Sequence, residues 1–365
     1  MSRKRLFGRK LDSCYIGIKC FKIVLKRSIM AHKRIKRING GYKGSLKEYR
    51  ESVLSYWKKY GVRPRRYWYT MYCNGRSSYD PRFITDTMWY WDILPYFNNL
   101  ILRRAYTDKN TLDKVLKNVR MPVCVIKSIA GYFYDKDGNL ISREEAERIC
   151  MQEDRLIFKP AADSSGGKNI QFFEKNEMQS SVITKYFDEY KNNFVVQRIV
   201  SQHADLAKIH KDSLNTIRVM TLHFKGKFIV LSNQLRMGSG NAKVDNFTAG
   251  GCACDIKPDG WLAEKSINRN LEWTDSHPSG LKFKDIKVPN YPAVIAKAEE
   301  LHRQLPYFNL IGWDFAVDAD GEPVLVEYNI MPEPNQLASG PTFGDLTEEV
   351  LQEVYIDKTL KDAFL

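Results

Sequence analysis

Three residues with oxygen-bearing side chains interrupt two apolar runs near the C-terminal end of this 365-residue chain. Asp314 lies within residues 311–317, and Glu327 and Asn329 lie within residues 324–329. If the two runs pair as a β-hairpin, their alternation places Glu327 and Asn329 on one face, across from Asp314. Such oxygen ligands suit Mg²⁺, and burying two carboxylates together without a cation is unfavourable. The pattern therefore predicts a magnesium site, and the alternative is a solvated hairpin face with alternating polar residues.

A polar loop that contains glycines follows a short predicted strand at residues 156–160. Lys159 lies at the end of that strand, where a lysine can reach phosphate oxygens while backbone N–H groups of the loop approach the same phosphates. The loop does not match a P-loop, because Ala162 replaces its first glycine and Asn169 replaces its final Ser or Thr. The candidate phosphate-contacting residues of the loop are Ser165, Gly166 and Gly167. A plain turn is the alternative.

Two arginines occupy the strands of a second predicted hairpin, at residues 216–224 and 227–237. Arg218 and Arg236 are of the type that stabilises the charge developing on a phosphoryl group during transfer. On their own, these two arginines favour the alternative of ordinary surface ion pairs.

Strands and helices alternate around these residues from about residue 156 onward. Further strands are predicted at 123–127, 169–173 and 194–200, and a helix is predicted at 291–304. A capping pattern that begins at Ser142 predicts the start of another helix, and a helix is predicted at 46–60. An aromatic-rich stretch, 67–97, is typical of a packed small domain and its interface, rather than of base stacking.

The basic charge of the chain is concentrated at its N-terminal end. Residues 1–66 contain 21 Lys and Arg against three Asp and Glu, whereas the remaining residues contain 36 against 40. Specific nucleic-acid binding is therefore not expected, although the sequence pI is about 9.3. Residues 1–40 predict either a helix on an anionic membrane surface or a helical arm packed on the body, and no apolar run is long enough to span a bilayer. The apolar stripe of this helix is Ile18, Phe21, Leu25 and Ile29.

The seven cysteines are widely spaced and form no even framework, and the basic start is not followed by an apolar core. This pattern predicts a reduced, cytoplasmic protein, peripheral at the inner face of the membrane if the basic arm binds lipid.

The ordered set of these residues resembles the ATP-grasp superfamily over about residues 110–345. The sequence motifs are most similar to those of the branch called sugar-transfer-associated ATP-grasp, which is related to α-L-glutamate ligases. The segments that carry the resemblance are 108–110, 195–200, 214–218, 244–251, 312–314 and 327–336.

This resemblance implies an α+β class, in which two α+β subdomains grip ATP, with a basic helical region before them. It implies phosphate contacts from Lys127 and Lys159, closed over by the glycine loop. Asn246, Arg218 and Arg236 would face the γ-phosphate and the acceptor. Adenine contacts would come from the backbone of Gln197, Arg198 and Ile199. The expected organisation is a basic arm at 1–66, an aromatic-rich segment at 67–110 and the ATP-grasp domain at 111–365.

The resemblance further implies an ATP- and Mg²⁺-dependent ligase that joins a carboxylate to an amine through an acyl phosphate. The name of the branch suggests the biosynthesis of cell-surface polysaccharides or other glycans, with small or glycan-linked substrates. The same residues also suit a phosphotransferase, and a non-catalytic nucleotide-binding protein is a further alternative.

Overall fold

The computed structural model describes residues 3–38, 44–162 and 169–360, with two antiparallel β-sheets and helices packed around them. The chain begins with α1 (Arg3–Ile35), a continuous helix of 33 residues whose side chains are described from residue 14 onward. No proline interrupts this stretch, so nothing removes a backbone donor from the helical ladder.

Helix α1 has two apolar faces. The stripe predicted from the helical spacing faces outward, with Ile18, Phe21, Leu25 and Ile29 each between 50% and 57% exposed. The opposite face packs on the body of the protein through Ile16, Cys20, Ile23, Val24 and Ala31. The helix is therefore a packed arm, and its outer apolar stripe stays in contact with solvent.

Short helices follow α1 and cover one side of the protein. The first begins where the Ser45 hydroxyl accepts a hydrogen bond from the backbone N–H of Glu48, at 2.9 Å. Trp68 and Trp89 are at most 1% exposed, which agrees with the packing interpretation of the aromatic-rich stretch. The elements are α2 (Leu46–Glu48), a π-helical turn (Tyr49–Leu54), α3 (Ser55–Lys58), α4 (Arg66–Tyr72), α5 (Asp86–Met88), a second π-helical turn (Trp89–Ile93), α6 (Leu94–Phe97), α7 (Arg103–Tyr106) and α8 (Leu112–Val115).

The first sheet has six strands in the order β3-β2-β1-β6-β4-β5. Its strands are β1 (Cys124–Ile129), β2 (Tyr132–Tyr134), β3 (Leu140–Ile141), β4 (Arg155–Pro160), β5 (Gln171–Glu174) and β6 (Phe194–Arg198). Helices α9 (Arg143–Gln152) and α10 (Ser180–Tyr190) pack against it, and a 3₁₀ turn (Lys175–Glu177) precedes α10. As predicted, Ser142 caps α9 by accepting from the N–H of Glu145 at 3.1 Å.

The second sheet has seven strands in the order β11-β10-β9-β8-β7-β12-β13. The two predicted hairpins form its centre and one edge, and β9 to β11 were not predicted. Its strands are β7 (Thr216–Phe224), β8 (Lys227–Met237), β9 (Cys252–Ile256), β10 (Leu262–Asn268), β11 (Trp273–Thr274), β12 (Leu310–Val317) and β13 (Pro323–Asn329). Its helical elements are α11 (Ala204–Ala207), α12 (Tyr291–His302), α13 (Gln336–Ser339), α14 (Thr347–Gln352), 3₁₀ turns (Phe247–Ala249, Phe283–Asp285, Gly344–Leu346) and a π-helical turn (Glu353–Asp357).

One buried apolar cluster joins parts of the chain that are distant in sequence. It includes Ala31 of α1, Trp57 of α3, Met220 of β7 and Val350 of α14. The hydrophobic core therefore continues across the predicted boundaries near residues 66 and 110, and those boundaries stay a prediction. The seven cysteines are free thiols, six of them at least partly buried.

Candidate functional site

Three charged residues lie in register across neighbouring strands of the second sheet. Arg218 on β7 is opposite Asp314 on β12, and Asp314 is opposite Glu327 on β13. Directly opposed residues point to the same face of a sheet. The final hairpin therefore does bring Asp314 and Glu327 together, as the sequence pattern predicts.

Asp314 is the centre of this row and is 4% exposed. Both of its oxygens accept hydrogen bonds from Arg218, at 2.6 Å from Nε and 2.7 Å from Nη2. Nη1 of Arg236 lies 3.4 Å from Oδ1 of Asp314. Burial raises the pKa of Asp314, but the positive charges of Arg218 and Arg236 outweigh it and lower the pKa below its usual value. Asp314 is therefore held as a carboxylate.

Asn329 and Glu327 complete the set predicted to bind Mg²⁺. Nδ2 of Asn329 lies 3.2 Å from Oδ2 of Asp314, and exchanging its amide N and O presents an oxygen at the same place. Glu327 is 38% exposed at its side chain and keeps its carboxylate accessible beside Asp314. In the described part of the chain no group of three or more His, Cys, Asp or Glu is arranged for a metal. The predicted set has two carboxylates and one amide, and these oxygens fit a hard cation that also takes phosphate and water ligands.

Close backbone contacts position Arg218 and the loop beside Arg236. A Cβ added to Gly312 would lie 2.7 Å from Cβ of Pro332 and 3.5 Å from Nη1 of Arg218, so this position leaves no room for a larger side chain. A Cβ at Gly251 would lie 2.5 Å from the carbonyl oxygen of Asp245. The loop 245–251 therefore folds tightly against the end of β8, which carries Arg236.

Two neighbouring residues of this loop, Asp245 and Asn246, differ in their hydrogen-bond partners. Oδ1 of Asn246 accepts from the N–H of Ala249 at 3.0 Å, so part of this predicted γ-phosphate contact is used as a cap. Asp245 accepts from the N–H of Thr216 at 3.1 Å and also from its hydroxyl. Burial raises the pKa of Asp245 to about 6, although Arg236 acts in the opposite direction. Asp245 lies in segment 244–251, which carries the resemblance, but it was not among the predicted site residues.

Two lysines lie level with each other on the first sheet. Lys127 of β1 and Lys159 of β4 are both opposite Val195 of the strand between them, β6. They therefore point to the same face of the sheet. Their Cα atoms are roughly 10 Å apart, because two strand spacings separate β1 from β4. Lys127 and Lys159 are 7% and 8% exposed. The sheet thus brings together the two residues predicted to contact phosphate.

The two lysines have different electrostatic surroundings. Nζ of Lys127 lies 2.7 Å from Oδ2 of Asp113, which is exposed. Burial, and next the charge of Lys109, lower the pKa of Lys159 to about 8, while Glu327 partly opposes them. A buried ammonium of this kind favours the arrival of an anion.

Lys109 connects the two sheets and was missed as a site residue, although segment 108–110 was recognised. Its backbone N–H donates to the carbonyl of Ala161 at 2.9 Å, at the end of β4. Its Nζ lies 3.7 Å from Oε2 of Glu327 on the other sheet. The charged faces of the two sheets are therefore adjacent, which the sequence spacing did not reveal.

The segment predicted to contact adenine ends β6. The N–H of Arg198 donates to Val123 at 2.9 Å and the N–H of Ile199 donates to Arg155 at 3.4 Å, so both donors are already used within the first sheet. The Arg198 side chain pairs with Glu153 on the surface. By contrast, Oε1 of Gln197 is buried without a partner among the described residues. The side chain of Gln197 thus still has an acceptor to offer.

The predicted loop residues Ser165, Gly166 and Gly167 lie outside the described residues. In the described residues, no helix combines the length and apolar character needed to cross a membrane.

A protein-family model described as sugar-transfer associated ATP-grasp matches residues 96–351 of the chain. This match confirms the resemblance inferred from the sequence. No curated protein sequence matches the chain significantly.

Solved structures with partial similarity include D-alanine–D-alanine ligase from Bacillus anthracis, at 15% identity and a TM-score of 0.40, over 70% of this chain and 69% of that one. The ATP-grasp ligase PsnB, in complex with a minimal precursor, Mg and ADP, has 12% identity and a TM-score of 0.40, over 69% and 60%. The ADP complex of PurK, N5-carboxyaminoimidazole ribonucleotide synthetase, has 13% identity and a TM-score of 0.39, over 65% and 47%.

Proposed function

Because the chain belongs to the sugar-transfer-associated ATP-grasp family, we propose that it is an ATP- and Mg²⁺-dependent ligase that joins a carboxylate to an amine. The observation that carries this proposal is the arrangement of charge on the two adjacent sheets. Lys127 and Lys159 offer cations on one side, and the Arg218–Asp314–Glu327 row offers a metal-binding and charge-stabilising face on the other.

The proposed reaction has two steps. A substrate carboxylate oxygen attacks the γ-phosphorus of ATP, the bond to the bridging oxygen breaks, and ADP leaves. The amine nitrogen then attacks the carbonyl carbon of the acyl phosphate, inorganic phosphate leaves with one oxygen of the original carboxylate, and the nitrogen loses a proton. Positioning and charge stabilisation supply most of the catalysis in such transfers.

Each group of the site has a role in this proposal. Lys127 and Lys159 hold the phosphates, with the loop of Ser165, Gly166 and Gly167 over them, and Arg236 faces the transferring phosphoryl group. Asp314, Glu327 and Asn329 would hold Mg²⁺, which when bound offsets phosphate charge. Arg218 keeps Asp314 ionised and oriented. Asn246 stands at the γ-phosphate end, and Gln197 to Ile199 stand at the adenine end.

An isotope experiment tests the ligase proposal directly. With a panel of carboxylates and amines, we expect ADP and phosphate to be released only when both substrates are present, and an amide to form. A carboxylate labelled with ¹⁸O should transfer one labelled oxygen to inorganic phosphate. A stable phosphorylated acceptor would instead identify a phosphotransferase, and nucleotide binding without turnover would identify a non-catalytic protein.

The biological setting of the reaction is proposed to be the biosynthesis of cell-surface polysaccharides or other glycans. Its support is the description of the family as associated with sugar transfer. Uronic acids and amino acids are therefore the first substrates to place in the panel.

We also propose that α1 rests on the anionic surface of a membrane, from the cytoplasmic side. The outward stripe of Ile18, Phe21, Leu25 and Ile29 is half exposed along the helix, and Lys22, Lys26 and Lys33 are exposed along one side of it. Each lysine near an anionic leaflet contributes about 1 kcal/mol, and the apolar stripe adds burial in the interface.

Flotation with lipid vesicles tests this placement. The protein should float with vesicles that contain phosphatidylglycerol and not with pure phosphatidylcholine. Replacing Phe21 and Leu25 together by Ser should abolish flotation, whereas Leu46→Ser, at an exposed leucine outside α1, should not. Equal flotation of all variants would contradict the proposal.

A further inference from the structure

A cavity lies between the N-terminal helices and the second sheet, beside the row of charged residues. Its walls come from α1 and α4 on one side and from β8 and the segment 333–337 on the other. Its cavity volume is about 40 Å³, and the cavity is partly open to solvent. Arg236, which lies beside Asp314, is one of its lining residues, so the cavity adjoins the proposed site of phosphoryl transfer.

The acidic groups of the cavity are already paired. Arg27 forms ion pairs with Asp86 and with Glu333, the latter at 2.7 Å, and Asp86 also accepts a hydrogen bond from the hydroxyl of Tyr72. The charge of Arg27 lowers the pKa of Glu333 to about 2, so Glu333 is ionised. Both carboxylates of the cavity are thus engaged by Arg27.

A second arginine of α1 lines the same cavity without such a partner. Nε of Arg34 is buried and has no hydrogen-bond partner among the described residues. Burial lowers the pKa of Arg34, and Glu333, the first of the acids that oppose this, is already paired with Arg27. An incompletely paired, desolvated guanidinium is unfavourable in the absence of an anion.

Two further polar atoms of the lining are also without partners in the described part of the chain. They are Nε1 of Trp68 and Oδ1 of Asn335, whose side chains are 1% and 7% exposed. Buried polar groups without partners are rare in folded proteins and require an explanation. The cavity lining therefore has two donors without partners, on Arg34 and Trp68, and one acceptor without a partner, on Asn335. They lie around an apolar wall that includes Met30 and Met71.

We propose that this cavity binds a carboxylate-bearing substrate of the ligase, with the guanidinium of Arg34 as the anchor for a carboxylate that does not react. This inference rests on the proposed function, and it deepens it by naming the anchor and the substrate class. The planar guanidinium fork matches a carboxylate in two parallel hydrogen bonds. Anchored there, the substrate extends along the cavity toward Arg236, where its reacting group meets the phosphoryl group.

The wall that carries the anchor lies outside the segment that defines the family. Arg34 and Trp68 precede residue 96, where the family match begins. The catalytic residues are thus within the family segment, whereas this part of the substrate pocket is supplied by the N-terminal helices. Substrate choice in this protein is accordingly assigned in part to α1 and α4.

Calorimetric binding to the full-length protein, with and without ATP and Mg²⁺, tests the anchor. The probes are D-glucuronate with D-glucose as its neutral match, and succinate with succinamide as its neutral match. We expect the carboxylates to bind and the neutral matches not to. Arg34→Met should weaken carboxylate binding at least about tenfold, a loss of about 1.4 kcal/mol. Arg34→Lys should recover part of the loss, since it restores the charge without the fork.

Arg37→Met is the matched control, because Arg37 is an exposed arginine three residues further along the chain. It should bind carboxylates and ATP as the unmodified protein does. Arg34→Met should also leave ATP affinity unchanged and should leave the thermal midpoint unchanged or higher, since it removes an incompletely paired buried charge.

The outcomes separate this inference from the ligase proposal. Equal binding of carboxylates and neutral matches, or unchanged carboxylate affinity in Arg34→Met, would overturn the anchor. A thermal midpoint lowered in step with the lost binding would also overturn it, because Arg34 would then be structural. Carboxylate binding that depends on Arg34, without ATP turnover, would contradict the ligase proposal and leave the anchor standing.

Discussion

The two sheets present charge to the space between them in opposite ways. On the second sheet, Arg218 and Asp314 are each 4% exposed and neutralise each other through two hydrogen bonds. On the first sheet, Lys159 is buried with a pKa of about 8 and forms no ion pair within the described residues. Paired buried charges hold a structure together, whereas an unpaired buried cation requires an anion. The buried charges of Arg218 and Asp314 on the second sheet are therefore already balanced, whereas Lys159 on the first sheet requires an anion, which we propose to be the phosphates of the nucleotide.

Removing carboxylates from the second sheet should have the largest effect on activity. We expect Asp314→Asn and Glu327→Gln each to reduce turnover about 100- to 1,000-fold, because each removes negative charge from the proposed Mg²⁺ site. The measurement is ADP release with a verified pair of substrates. Glu322→Gln, in the turn of the same hairpin, should be normal, and substantial turnover by either site variant would refute the metal assignment.

The same two variants should differ in stability, which sharpens the comparison. Asp314→Asn leaves Arg218 buried without its counter-charge and should lower the free energy of unfolding by about 3–5 kcal/mol. Glu327→Gln loses an ion pair with Lys109 at 3.7 Å, 38% exposed on the Glu327 side, and a charge interaction with Lys159. It should lower the free energy of unfolding by about 1 kcal/mol or less. Urea unfolding measures both, and equal losses would mean that Asp314 does not balance the buried charge of Arg218.

The first sheet should show its unpaired charge through the pH dependence of ATP binding. The pKa of Lys159 is lowered to about 8 without nucleotide, and bound phosphate raises it, so binding takes up a proton above pH 8. The dissociation constant for ATP should therefore rise with pH above 8, approaching tenfold per unit.

Lys159→Arg provides the control for this dependence, because its guanidinium stays charged over the whole range. Its binding profile should be flat above pH 8. A flat profile in the unmodified protein would show that Lys159 does not neutralise phosphate.

The last effect concerns stability alone and is expected at Asp245, which lies on the second sheet's side of the site. Its pKa is raised to about 6 by burial, so the folded state holds this proton more tightly than the unfolded state does. Stability should therefore fall between about pH 4 and pH 6, by up to about 3 kcal/mol, and change no further above that range. Asp245→Asn should remove this fall when unfolding is compared at both pH values, and an identical fall in the variant would exclude Asp245 as its source.

Local sequence patterns predicted those parts of the fold that alternation and turns define. Periodicity and the residues next to the turns predict both hairpins of the second sheet. They also predict the helix cap at Ser142 and the strand that contains Lys159. Strands β2, β3 and β9 to β11 were not predicted, because they are short or carry mixed polar residues without clear alternation. The position of Lys127 and Lys159 on either side of β6 could also not be predicted, because it depends on the order of strands in the sheet, which no local pattern contains.

The sequence by itself determined that Asp314, Glu327 and Asn329 come together. Two adjacent strands joined by a turn have one register that places their apolar residues on the buried face of the sheet. It likewise determined that α1 is helical and basic. Only the tertiary structure decided that Asp314 is held by Arg218, that Lys109 joins the two sheets, and that Arg34 and Trp68 line a cavity next to Arg236. Those contacts connect residues up to some two hundred positions apart, and they depend on how whole sheets and helices pack together.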